Sequence, residues 1–138
     1  VAFVRRDSGS ETAVFADRVL ASDFAQMMPA IREAAPGLSM MLSPGHTPGH
    51  SIVRIDGGDR QLLMIADTLA SADVHTALPD VGFGFDSDPA QAAESRRRVF
   101  DMVSADKTLV AGSHIHFPGF GRILADGEAY RYVPTTWM

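Results

Sequence analysis

Cysteine is absent from the 138 residues. That excludes disulfide staples, thiolate metal sites and cysteine nucleophiles together. Any bound metal must then be held by histidine and carboxylate, and a chain without thiols suits reducing and oxidising compartments alike. Long apolar runs are missing too: none approaches the roughly 20 residues needed to span a bilayer, so no membrane partner is expected. No secretory leader is visible. The chain opens on Val1 rather than methionine, from which we expect the parent's true N-terminus to lie elsewhere. Basic residues are outnumbered, 12 Lys and Arg against 17 Asp and Glu, for a net charge of −5. A general nucleic-acid binder needs a basic stripe to displace counterions, so no nucleic-acid partner is expected. The one basic run, Arg96-Arg97-Arg98, reads as a solvated helix face.

Hydrophobic residues make up 46% of the chain, enough for a packed core. VAFVRR and ETAVFA flank DSGS and suggest a hairpin. Phe24, Met27, Met28 and Ile31 have helical spacing within 22–35, with Ser22 or Asp23 as cap and Pro29 interrupting. Pro36-Gly37 is read as the end of that helix. LSMML (38–42) reads as a strand, followed by the Pro-, Gly- and His-dense loop SPGHTPGH. SIVRI (51–55) and RQLLMIA (60–66) read as strands joined by a DGGD turn. The second is almost wholly apolar, which predicts burial on both faces. Residues 67–87 have no clear period and read as a long loop, of the kind that is functional or partly helical.

Asp88-Pro89 then opens a helix, with Asp88 as N-cap and Pro89 in the first turn. The expected helix covers 88–105. Ala92, Val99, Met102 and Val103 are assigned to its apolar face, and Arg96 and Arg97 to solvent. Glu94–Arg98 and Arg97–Asp101 have the spacing of surface ion pairs. TLVAG (108–112) reads as a short buried strand and SHIHFPGFG as a loop. GRIL and AYRYV around ADGE read as a last hairpin. The order predicts an α/β layered architecture with a mixed sheet.

Three residues share one context. His46 follows strand 38–42, Asp67 ends strand 60–66, and His114 follows strand 108–112. If these strands run the same way in one sheet, their C-terminal ends bring all three side chains to one rim, where open α/β sheets place their sites. A carboxylate directly after LLMIA is expected to be partly buried, and a buried charge needs a partner. A metal ion, an arginine or a helix N-terminus would serve. The plainer reading is a turn aspartate before Thr68. A lone histidine is commonly a packed, hydrogen-bonded residue. GHTPGH is more informative, because two Pro-Gly steps stiffen the loop and fix an imidazole at little entropic cost.

SPGHTPGHS, IADT and AGSHIHFPGFG, in that order and spacing, resemble motifs of the metallo-β-lactamase superfamily. The stretches DTLASADVHTALPDVGFGFDSDP and RRRVFDMVSADKTLVAGSHIHFPGFGRILADGEAYRYVP are similar to its methyl parathion hydrolase branch. The likeness runs from about Pro44 to Pro134. It implies an α/β fold that is half of an αββα sandwich, a mixed sheet with helices on its outer face. It implies that His46 binds one metal, that Asp67 bridges two and serves as the catalytic carboxylate, and that His114 binds the other. His50 corresponds to a structural histidine. His75 and His116 fall outside the ligand positions.

The cofactor implied is a pair of Zn2+ ions, with manganese, iron or cobalt as alternatives. The activity implied is metal-assisted hydrolysis of a small ester, lactone or phosphotriester by a metal-activated hydroxide. Phe83, Phe85 and His116, with Phe117 and Phe120, are candidates to line the pocket of a small-molecule substrate. Ordinary core or surface positions are the alternative for each.

The family's N-terminal HxHxDH signature is missing, and no histidine precedes His46. Asp7, Glu11, Asp17 and Asp23 lack the imidazoles to replace it. We therefore expect 1–138 to be the C-terminal part of one domain whose N-terminal half lies outside this chain. Half a sandwich leaves one flank of its core exposed, which predicts homo-oligomerisation or association with that missing half. The alternative is a non-catalytic truncated module with a vestigial metal site, acting in binding or oligomerisation.

Overall fold

In a computed structural model of the chain, residues 32–135 are described. The expected hairpin and most of the expected helix in the first 31 residues lie outside them. The described residues form one seven-stranded sheet with strands in sequence order. β1 is Arg32–Ala35, β2 Leu38–Leu42, β3 Ser51–Asp56 and β4 Gln61–Ala66. Helices α1 (Ala72–Ala77) and α2 (Pro89–Ala105) follow, then β5 (Leu109–Gly112), β6 (Phe120–Asp126) and β7 (Ala129–Pro134). Every neighbouring pair is antiparallel except β4–β5, which is parallel. A parallel pair needs a crossover, and the segment containing both helices supplies it. Neither helix of the described residues is long and apolar enough to cross a membrane.

The mixed α/β sheet matches the expected class. Residues 32–35, expected to end a helix, instead form strand β1. Pro36-Gly37 is the turn of a hairpin, with Gly37 at φ +76° where an L side chain is disfavoured. The β1–β2 ladder, Arg32 with Met40 and Glu33 with Ser39, outweighs the helical spacing upstream.

The core lies on one face of the sheet. Ile52, Leu63, Ile65, Val110, Ile123 and Tyr130 point there and meet Val99, Phe100 and Val103 of α2. The opposite face carries Leu38, Met40, Val53, Leu62, Met64 and Leu109 in cross-strand rows. Met64 is 46% exposed. β4 is thus buried on one face only, correcting the expectation of burial on both: strict alternation divides even an all-apolar strand between the sheet's two sides. Likewise only Val110 of β5 is fully buried.

α2 begins as expected. The Asp88 side chain accepts from the Gln91 N–H and Pro89 stands in the first turn. Ala92, Val99 and Val103 are buried, and Met102 is partly so. The arginines correct the expectation. Arg96 is 1% exposed and faces the protein interior. It lies four residues after Ala92 and three before Val99, so helical geometry places it on the buried stripe. Arg97 grips Asp80 in a bidentate pair rather than Asp101. Arg98 donates to the Leu42 carbonyl rather than pairing with Glu94. The loop 67–87 contains the short helix α1, capped by Ser71.

Candidate metal centre

β2 and β4 are each antiparallel to β3, and β5 is parallel to β4, so β2, β4 and β5 run in one direction. Their C-terminal ends share a rim. The structure brings His46, Asp67 and His114 together there. His114 Nε2 is 3.1 Å from Asp67 Oδ1, and His46 Nε2 is 3.8 Å from Asp67 Oδ2. The two carboxylate oxygens therefore face two different imidazoles. The side chains are 19% exposed for His46, 37% for Asp67 and 46% for His114, so the cluster opens to solvent.

Each residue has a local reason for its place. Ala66, just before Asp67, has φ +44° at the point where the β4–β5 register shifts. A non-glycine residue held left-handed is a small strain, and here it turns the chain out of the sheet at Asp67. His50 secures that turn. Its Nε2 accepts the Asp67 N–H at 3.1 Å and its Nδ1 donates to the Ser43 carbonyl at 2.7 Å.

The His46 loop sits hard against α2. Gly45 has φ +125°, and a Cβ there would lie 2.1 Å from the Ala92 nitrogen. Only glycine allows this approach. Ser95 Oγ, from the same helix, donates to the Pro44 carbonyl.

The carboxylate that holds His46 is one the sequence reading passed over. His46 Nδ1 is 3.0 Å from Asp86 Oδ1, and the Asp86 side chain is only 1% exposed. A carboxylate only accepts, so Nδ1 is the donor in this contact, and in the neutral ring Nε2 then keeps its lone pair. Asp86 Oδ2 also accepts the Phe83 N–H at 2.9 Å. Arg96 Nη2 stands 3.9 Å from that same oxygen. The sequence offered little to single out Asp86 among the aspartates of FDSDP; for Arg96 the signal was its helical position.

The other candidates divide. The Phe83 ring is stacked on His46 with centroids 6.2 Å apart, and it lies 6.4 Å from the His114 ring. Phe85 packs against Phe83 and is 78% exposed. Phe117 is exposed, as is His116, whose carbonyl accepts from Gly119 in a turn. Phe120 is half-buried at the start of β6. His75 is buried behind Phe83, edge-on to that ring with centroids 6.5 Å apart, and its Nδ1 accepts from the Ala70 and Ser71 amides. Among the described residues, no group of three or more His, Asp or Glu side chains is arranged to hold a metal ion.

No family model matches this chain. The N-acyl homoserine lactonase of Bacillus thuringiensis is 27% identical over 84 residues, 59% of this chain and 32% of the lactonase. Among solved structures, the dizinc quorum-quenching lactonase AidC superposes with a TM-score of 0.75 at 27% identity, over 79% of this chain and 37% of that one. AbOPH, a hydrolase of the β-lactamase superfamily, superposes with a TM-score of 0.74 at 25% identity, over 93% and 45%.

The fold is that of the metallo-β-lactamase hydrolases. The chain spans about a third of the length of the curated relatives it matches, 32%, and less than half of either of these two structures.

Proposed function

We propose that this chain is the C-terminal part of a dinuclear metal-dependent hydrolase. In this reading His46 and Asp67 serve one cation, Asp67 and His114 the other, and Asp67 bridges them. The observation that carries the reading is the division of the Asp67 carboxylate, one oxygen toward each of two imidazoles from separate strand ends. An isolated structural aspartate needs no such pair of partners. The donor set is nitrogen and oxygen with no sulfur, which suits zinc, and also manganese, iron or cobalt. Zinc is favoured because a dizinc lactonase is among the structural neighbours.

Such cations supply Lewis acidity, lowering the pKa of water and polarising a carbonyl or phosphoryl oxygen. This chain's residues do the rest. Asp86 fixes His46, His50 fixes Asp67, and Phe83 forms an apolar wall beside both imidazoles. Phe85 extends that wall outward. An apolar wall beside a polarising centre suits a small ester, lactone or phosphotriester with a hydrophobic group. Lactones rank first because lactonases are among the relatives. The motif likeness to the methyl parathion hydrolase branch keeps aryl phosphotriesters on the same list.

The remaining ligands and the second wall of the cleft are assigned to an N-terminal half carrying HxHxDH. The small share of each relative that this chain covers supports that assignment. The experiment is to read the coding sequence upstream of Val1, express the extended chain with zinc, and assay it on an acyl homoserine lactone, an aryl ester and an aryl phosphotriester. Turnover that disappears on Asp67→Ala is expected. An upstream sequence without HxHxDH, or turnover indifferent to Asp67, sinks the reading in favour of the non-catalytic module.

A further inference from the structure

Asp86 is the most buried carboxylate near the rim, yet it is not one of the three candidate ligands. Its side chain is 1% exposed. A charge taken out of water is costly unless several donors meet it. Three do. His46 Nδ1 donates to one oxygen, the Phe83 amide donates to the other, and the buried Arg96 guanidinium stands 3.9 Å away. The backbone on either side of this contact is paired as well. The Ser87 N–H donates to the His46 carbonyl at 3.0 Å, and the Asp88 N–H donates to the Gly45 carbonyl at 2.9 Å. The segment thus holds the His46 loop by side chain and by main chain.

Arg96 extends the connection to Asp67. Its Nε donates to the Thr68 carbonyl at 2.8 Å, and its Nη1 donates to the Pro79 and Val81 carbonyls at 2.6 and 2.9 Å. Thr68 directly follows Asp67. One buried guanidinium therefore fixes the residue next to Asp67 and faces the carboxylate that fixes His46.

We infer that Asp86, braced by Arg96, is a positioning residue that sets His46 for metal binding, and that the pair fixes the separation of His46 from Asp67. This rests on the dinuclear reading of the site. Asp86 does its work through His46. As acceptor of the Nδ1 proton it selects the tautomer whose Nε2 lone pair is available. It also fixes the ring plane, and it makes the imidazole a stronger donor toward a cation. The competing role, a carboxylate that only neutralises Arg96, would leave the His46 tautomer and affinity indifferent to Asp86.

The test is a zinc titration of the 138-residue chain, followed through the separate imidazole resonances of His46 and His114, in wild type, Asp86→Asn, His46→Ala and His114→Ala. Asp86→Asn is expected to weaken zinc at His46 by about 10–100-fold, the usual effect of losing such an outer partner. The Asp86→Asn chain should also show His46 shifting toward the Nε2-protonated tautomer. Zinc binding at His46 unchanged in Asp86→Asn, while His46→Ala loses the ion at that position and His114→Ala the ion at the other, overturns the positioning role and leaves the site reading intact. No zinc response at His46 or His114 in wild type, even with zinc in large excess, overturns both. If Asp86→Asn fails to fold, the metal-free wild type still decides. His46 protonated on Nδ1 supports the inference, and His46 protonated on Nε2 overturns it.

Discussion

His50 and Asp67 are joined by a hydrogen bond in which the imidazole accepts: the Asp67 N–H meets His50 Nε2 at 3.1 Å, while the opposite ring nitrogen donates to Ser43. Both ring nitrogens are therefore committed to backbone, and His50 ties the end of β2 to the end of β4. Removing the ring leaves the Asp67 amide and the buried Ser43 carbonyl without these partners. His50→Ala is expected to cost about 2 kcal/mol and to lower Tm by roughly 8 °C. Urea and thermal unfolding of the two chains check this. The Asp67 resonances should broaden in the variant, because the strained turn at Ala66 loses its lock.

The neighbouring arginines of α2 should behave oppositely. Arg96 is buried on three carbonyls and near Asp86. Arg96→Met strands those acceptors and leaves a buried carboxylate uncompensated, at an expected cost of about 3–5 kcal/mol. Arg96→Lys should recover little, because one ammonium cannot reproduce the fork of a guanidinium. The Arg97–Asp80 pair is bidentate but solvent-exposed, and exposed pairs contribute little. Arg97→Ala should leave the urea midpoint nearly unmoved. Equal losses for Arg96→Met and Arg97→Ala would contradict this division.

These contrasts mark where the sequence was legible. The strand-end positions of His46, Asp67 and His114 followed from apolar runs broken by Pro-Gly loops, and the common direction of β2, β4 and β5 joins them. The start of α2 followed from Asp88 and Pro89. Arg96 was misplaced because its charge and its RRR neighbours outweighed the spacing 92, 96, 99, 103, which is itself the buried stripe. β1 was misplaced because Ile31 completes a helical pattern and only the tertiary ladder to β2 decides otherwise. Met64 shows that composition does not reveal which face of an apolar strand is covered. Asp86 was invisible for a different reason: its partner lies 40 residues away, and no local period links FDSDP to GHTPGH.

His75 gives the fold a pH dependence of known sign. It is buried, and its Nδ1 accepts two backbone amides. Burial holds its pKa below the ordinary 6.5, and the nearby Arg96 charge adds to that. Backbone contacts with Ser71 and Val81 and the charge of Asp86 act the other way without reversing it. The folded state therefore binds fewer protons than the unfolded chain. Stability from this group is present above 6.5 and is lost as pH falls from there toward the depressed folded value. Wild type should lose Tm between pH 7.5 and 5.5, and His75→Asn, which keeps an acceptor but does not titrate, should lose less. Parallel Tm profiles for the two would remove His75 as a cause.

The last expectation follows from counting donors. A catalytic zinc ordinarily has three protein ligands and one open position. In the proposed assignment His46 and Asp67 offer two donors to one ion, and Asp67 and His114 offer two to the other. The lack of any three-donor group among the described residues agrees with that count. Each ion should then be held weakly, and the half-exposed Asp67 and His114 leave the rim open to water. The 138-residue chain alone should accordingly be close to inert as a hydrolase. Assays with excess zinc, manganese or cobalt on an aryl ester, a lactone and an aryl phosphotriester should give rates near the metal-only background. Adding a segment that carries HxHxDH should raise them, and a chelator should abolish the gain. Robust turnover by the isolated chain, lost on His46→Ala or Asp67→Ala, would mean that two donors per ion suffice, and the count would have to be abandoned as the reason for needing a second half.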